Sequence, residues 1–148
     1  MTGLDSLRGQ RMTDDQIDQL LREEGVGVLS LADEGVPYGI PMSFGYDGDD
    51  RLYFLFAGHS EAGRKVSYAE RSELASFLAY DVTSAGEWRS AVVSGPFERI
   101  VIDEWDRARE AMADNAFRPQ LLESVNAAEN PRVWALAVEE KSGRAVGP

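Results

Sequence analysis

In the stretch TDDQIDQLLREEG, residues 13–25, the apolar positions Ile17, Leu20 and Leu21 recur at helical spacing on one face. Thr13 with Gln16 three residues on is a capping-box signature, Asp14 and Asp15 occupy the positive first turn, and Gly25 offers a stop. The pattern predicts a helix over 14–24 lying against a core. From Val26 the period falls to two. VGVLSLADEGVPYGIPMSFGYDGDDRLYFLFA holds three apolar runs parted by DEG and DGDD, turn sequences with a glycine for positive φ, which predicts an antiparallel meander. GRKVSYAERS follows as a short helix, ELASFLAYDV as a fourth strand, and WRSAVVSGPFERIVI as a long fifth bent at Gly95-Pro96. Residues 103–114 read as a helix capped by Asp103, PQLLESVNA as a further helical turn or two, and RVWALAVEEKSG as the last strand.

Six antiparallel strands with helices only at the start, in one crossover and before the last strand predict a mainly β fold: a small closed or split barrel with a few peripheral helices, one domain over residues 1–148. A chain of 148 residues can bury a core without staples, and with no cysteine and one histidine, disulfides, thiolate metal sites and His-rich metal centres are excluded. MTGLDSLRGQRM has no signal-type apolar stretch and no run approaches the roughly 18 apolar residues of a membrane span, so a cytoplasmic protein with no membrane partner is expected. A formal net charge of -11 opposes nucleic-acid binding. Thirteen of the fifteen cations are arginine, and such an acid-rich, lysine-poor surface resembles that of halophilic proteins, the plainer reading being an ordinary acidic protein.

Against this charge, Arg64 and Lys65 are the only adjacent basic residues. They fall in the first turn of the crossover helix, where free N–H groups and the helix dipole favour an anion; an arginine fork beside a lysine point charge suits a phosphate monoester. The plainer reading is a solvated helix start paired with Glu61 and Glu70. In YGIPMSFGY, alternation puts Tyr38, Ile40, Met42, Phe44 and Tyr46 on one face and leaves Gly39, Pro41, Ser43 and Gly45 on the other. A nearly bare strand face admits either something flat, lying close to the backbone, or another element of the chain. GHSEA at 58–62 lacks the last glycine of a nucleophile elbow, and no histidine follows it to complete a triad. DGDD at 47–50 lacks the rest of a calcium loop and is a turn.

GVGVLSLADEGVPYGIPMSFGYDGDDRLYFLF, then GRKVSYAERSELASFLAYD, then WRSAVVSGPFERI resemble, in that order, the pyridoxamine-phosphate-oxidase-like FMN-binding split-barrel proteins, especially the short branch that includes nitroimidazole-resistance proteins. The resemblance covers roughly residues 13–101, and the ending VWALAVEEKSGR is in keeping. It implies a six-stranded split barrel, an FMN cofactor, oxidoreduction of a small molecule, and a homodimer with flavin at the interface. Pro41, Met42, Ser43 and Phe44 match the segment facing the isoalloxazine ring, largely through backbone groups. Arg64 and Lys65 match the pair on the FMN phosphate, and Ser90 a hydroxyl that reaches the phosphate or ribityl chain, with Trp88 nearby. Trp88 or Trp134 is implied at the partner's cofactor, while Leu52, Phe54 and Phe56 read as core or interface. The short branch often has Gly-His-Lys where this chain has Gly63-Arg64-Lys65, so no histidine role is carried onto His59, which reads as a solvated loop residue. The residues that recognise pyridoxine phosphate in the true oxidases are not found. Two other functions share these features: a flavin or haem carrier or sensor without turnover, and a reductase using the deazaflavin F420.

Overall fold

The first helix forms as α1 (Asp14–Glu23) in the computed structural model, which describes residues 7–56, 63–83, 85–115 and 132–147. Both halves of its capping box are made: the Gln16 N–H donates to the Thr13 hydroxyl at 3.2 Å and the Thr13 N–H to the Gln16 side chain at 2.8 Å. Ile17, Leu20 and Leu21 are buried, as their spacing predicts. The helix ends without a left-handed glycine. Glu24 leaves it in extended backbone at φ -93°, and the Gly25 carbonyl instead accepts from the buried Asn115 amide at 2.9 Å.

The period-two region forms an antiparallel sheet of β1 (Gln10–Arg11), β2 (Val26–Asp33), β3 (Val36–Ser43), β4 (Gly45–Tyr46), β5 (Arg51–Phe56), β6 (Leu74–Val82), β7 (Trp88–Arg99), β8 (Arg132–Ala137) and β9 (Glu140–Val146). Its order is β3-β2-β6-β7-β8-β5-β4, with β9 also paired to β7 and β1 to β9. Because β4 resumes one residue after β3 ends, the two ends of that order are nearly one run of chain, and the sheet curls into a split half-barrel. The predicted runs subdivide for local reasons. The second breaks at Phe44, whose carbonyl is taken by Asn115, and the last breaks where the Val138 N–H turns to Asp50 and that of Glu139 to Ser94. The short β1 carries no pattern of its own.

Turn chemistry behaves as its residues dictate. Glu34 and Gly35 adopt φ 49° and 80°, as a two-residue hairpin requires, and in DGDD the Asp47 carboxylate accepts from the N–H groups of Asp49, Asp50 and Arg51. Gly95-Pro96 is a barrel corner. Before it β7 pairs with β9 over Trp88 to Ser94, after it with β8 over Phe97 to Arg99, and a Cβ at Gly95 would stand far inside contact distance of the Ala137 carbonyl oxygen.

The barrel interior holds the main core, in which Phe77 tilts against Phe44 and Phe54 at centroid distances of 4.6 and 5.3 Å. A second cluster, including Tyr53, Met112 and Val133, lies beneath α3 (Trp105–Ala113). With both faces covered, β5 reads as an unbroken apolar run, and Leu52, Phe54 and Phe56 are core. Asp103 does not cap α3: a 3-10 turn spans Ile102–Glu104, and Glu104 takes the N-cap position without a side-chain cap bond because its carboxylate pairs with Arg51 at 2.8 Å. The crossover helix α2 (Arg64–Arg71) buries Val66 and Ala69. PQLLESVNA and His59 lie outside the described residues.

Candidate functional site

The bare strand face of the sequence becomes an open surface beside a free sheet edge. Ile40 and Met42 point into the core, Gly39 and Pro41 are exposed on the opposite face, and Ser43 is half-buried. A Cβ at Gly39 would meet nothing closer than the Val28 methyl at 3.7 Å and the Ser30 hydroxyl at 3.9 Å, so among the described residues no other element is packed there. Gly45 is the exception. A Cβ there would come within 2.6 Å of the Met112 backbone nitrogen, so its missing side chain serves helix packing.

Register fixes where the backbone groups of β3 point. The Ser72 hydroxyl accepts from the Ala32 N–H at 3.1 Å and donates to the Ala32 carbonyl at 3.0 Å, so neither group of Ala32 turns toward its partner Pro37. Pairs alternate in an antiparallel ladder, so Pro37, Gly39, Pro41 and Ser43 all turn their backbone groups away from β2. Among the described residues no strand takes up that edge. The prolines carry no donor, so the N–H groups of Gly39 and Ser43 and four carbonyls face outward with no strand paired to them among the described residues, while the edge is blunted against another strand.

Arg64 and Lys65 begin α2 behind an uncapped Gly63, with no acidic residue in the first turn; both are exposed, and among the described residues neither forms an ion pair. Their pairing with Glu61 falls outside the described residues, and Glu70 makes no such pair with them. One turn on, Tyr68 stacks on Tyr38 of β3 with ring centroids 4.8 Å apart at 18°. Arg64 precedes Tyr68 by four residues on the same helix face, about 6 Å along the axis, so the stack ties the cationic helix start to β3 on the Tyr38 side, opposite the bare face.

The other expected site residues are distributed more widely. Met42 and Phe44 are buried at 9 % and 2 % exposure, Met42 turns its backbone groups toward β2 and the Phe44 carbonyl accepts from Asn115, so neither is presented to a ligand at the open edge as Gly39 and Ser43 are. Trp134 is 2 % exposed and packed between Phe56 and Phe97, which removes it as a contact to any partner's cofactor. Trp88 and Ser90 are half-buried at the start of β7, three strands from β3, or about 14 Å at ordinary strand spacing. They share the outward sheet face with β3, as the row Pro41, Val28, Leu78, Val92, Ser142 shows. That face is unusually apolar: Leu74, Tyr80, Val82 and Val92 are 66 %, 51 %, 68 % and 43 % exposed. The Tyr68–Tyr38 contact and the Asn115 pin at Phe44 were not read from the sequence, since each joins residues far apart along the chain.

A family model described as pyridoxamine 5'-phosphate oxidase matches residues 13–145, from the α1 cap to one residue short of the end of β9. The chain belongs to that family. No curated protein matches it. Among solved structures, the oxidase-family fold recurs in a FAD-binding protein from Mesorhizobium loti, with a TM-score of 0.74 and 21% identity over 94% of this chain and 97% of that one. A putative 5-nitroimidazole antibiotic resistance protein from Bacteroides thetaiotaomicron has a TM-score of 0.72 and 22% identity over 92% and 86%. A FAD and heme binding protein from Mycobacterium smegmatis has a TM-score of 0.70 and 20% identity over 92% and 72%. These similarities establish the split-barrel fold for the family member described here.

Proposed function

We propose that the protein binds flavin mononucleotide between the bare edge of β3 and the start of α2, and that it serves as a flavin-dependent oxidoreductase for a small molecule. The observation that carries this reading is the Tyr38–Tyr68 stack, which holds an exposed cationic helix start against β3, the strand whose opposite face is bare and whose outer edge no strand takes up among the described residues, in a chain of net charge -11. The donor set fits the group. Arg64 and Lys65 with the first-turn N–H groups suit the phosphate, Gly39 and Pro41 leave a flat surface for a ring, and the free N–H groups of Gly39 and Ser43 suit the ring's carbonyl oxygens. Flavin, when bound, supplies hydride and single-electron transfer. The protein's part is to hold the phosphate, to fix the ring's orientation through backbone groups locked in the β2–β3 register, and to keep water from one ring face.

The same reading takes the protein as a homodimer, because exposed apolar residues on β6 and β7 form a contiguous sheet face that a second copy would cover. Membership in the oxidase family supports the flavin reading, as do relatives of the same fold that bind FAD or FAD and heme. The test is direct. Purified protein mixed with FMN should retain it through gel filtration at dimer mass, and its melting temperature should climb with FMN concentration, about 2.7 kcal/mol of stabilisation at a hundredfold excess over Kd. Failure to retain FMN together with an unmoved melting temperature would overturn the reading. Retention without turnover on any electron acceptor would make the protein a carrier.

A further inference from the structure

Ser72 is one of the few polar side chains buried among the described residues, at 6 % exposure, and it stands at the C-cap of α2. Its N–H donates to the Tyr68 carbonyl at 2.9 Å, closing the last turn. Its hydroxyl accepts from the Ala32 N–H at 3.1 Å and shares its one proton between the Tyr68 carbonyl at 2.7 Å and the Ala32 carbonyl at 3.0 Å. Ala32 lies on β2 beyond the stretch that β6 pairs with, Val28 to Ser30. The hydroxyl thus serves Ala32 as a further ladder residue would, and the same bonds tie the end of α2 to the β2–β3 hairpin. The next carbonyl, that of Glu73, accepts from the Phe97 N–H at 3.0 Å, which fixes the junction to the barrel corner.

The other contacts between α2 and the hairpin give less direction. The Tyr68–Tyr38 stack lets its rings slide, and the Arg71–Asp33 pair, at 3.0 Å, has its arginine 63 % exposed. At its start the helix has no side-chain cap, and Arg64 and Lys65 are exposed. It is held as a lever is, firmly at Ser72 and loosely at the cationic end. Arg64 lies eight positions before Ser72, about 12 Å along the axis, so a tilt of ~5° at the joint moves its backbone by about 1 Å. Hydrogen bonds tolerate a spread of only about 0.5 Å in length.

We infer that Ser72 is a positioning residue for the cationic grip: through Ala32 it sets the angle of α2 against the β2–β3 hairpin, and so sets where Arg64 and Lys65 meet a phosphate at the edge of β3. The inference rests on the flavin reading and adds to it a residue that touches no ligand. Water can solvate the Ala32 groups in place of the hydroxyl, but it cannot hold the helix to them. A residue that acts by aiming α2 changes the phosphate's share of affinity and leaves the ring's share alone.

The experiment titrates the full-length protein with FMN and with riboflavin in wild type, Ser72→Ala, Ser72→Thr and Thr13→Ala, and follows amide hydrogen exchange in the ligand-free proteins. Thr13→Ala removes the cap of another helix, α1, and reports what a general loss of stability does. Ser72→Ala should weaken FMN on the order of tenfold, the lower end for losing a charged donor outright, because the grip is misaimed and not removed. Riboflavin should bind it as it binds wild type, and the amides of α2 should exchange faster while those of α1 do not. Ser72→Thr keeps the hydroxyl and should restore the preference for FMN. Ser72→Cys fills the same buried space with a weaker donor, should fall between the two, and carries the same comparison if the alanine variant does not fold. An unchanged preference for FMN in Ser72→Ala, an equal fall in Thr13→Ala, a threonine variant no better than alanine, or unchanged exchange in α2 would each overturn the inference and leave the flavin reading standing. A wild type that binds FMN no better than riboflavin would overturn the phosphate grip itself, and the inference with it.

Discussion

Replacing Gly39 by valine separates the folding role of β3 from its proposed ligand role. The backbone at Gly39 is ordinary, since its φ is not positive, and a Cβ there would be in normal van der Waals contact at 3.7 and 3.9 Å. Glycine in a strand costs about 0.5–1 kcal/mol relative to alanine, and a β-branched residue fits a pleated edge better still, so Gly39→Val should keep or raise the melting temperature. A ring lying flat on the strand would meet two new methyl groups. Overpacking of this kind costs about 1–3 kcal/mol, equivalent to roughly a tenfold to hundredfold loss of FMN affinity. The assays are thermal unfolding without ligand and FMN titration by flavin fluorescence. A variant that folds as well as wild type and binds FMN equally well would show that no ligand uses this face. One that fails to fold would show that the space above Gly39 is not free.

Other consequences are local. The buried Tyr53 hydroxyl has no hydrogen-bond partner among the described residues, and burial raises its pKa. Tyr53→Phe should therefore be neutral or stabilise by up to about 1–3 kcal/mol in denaturant titration, and a clear destabilisation would refute the unpartnered assignment. Tyr46 has its pKa raised by burial and then by its 2.7 Å bond to the Asp18 carboxylate. Its folded pKa lies above the unfolded value near 10, so its contribution is full below about pH 10 and is lost as pH rises through the folded value. Tyr46→Phe should flatten that alkaline decline, and an identical decline in the variant would contradict the assignment. Asp47, Asp49, Asp50, Glu110 and Asp114 crowd one cleft with only Arg107 among them. Unfolding followed from low to molar potassium chloride should show rising stability as the Debye length falls to about 3 Å, and no rise would remove the halophilic reading.

Where local pattern sets the structure, the sequence shows it plainly. The α1 capping box, the DEG and DGDD turns, the Gly95-Pro96 corner and the start of α2 at Arg64 all follow from residues a few positions apart. What stayed hidden depends on distant partners. Asn115 breaks the second run at Phe44 from 71 residues away, and Glu104 leaves its cap role for an arginine 53 residues back. The candidate site divides the same way. Alternation alone distinguished the bare face of β3, but its split into an open part at Gly39 and Pro41 and a packed part at Gly45 follows from where α3 lies. The order and spacing of the strands identified the family, whereas no spacing rule could bring Ser72 to Ala32 across 40 residues.

The central claim, that Arg64 and Lys65 are adjacent because they hold the phosphate of a flavin, is tested most directly by comparing FMN with riboflavin in wild type and Arg64→Ala. The two ligands share the ring and differ in the phosphate, so the variant should lose about 1.5–3 kcal/mol toward FMN, roughly tenfold to a hundredfold, and almost nothing toward riboflavin. Equal losses for both ligands, or no loss for FMN, would contradict the account and leave the pair as a solvated helix start.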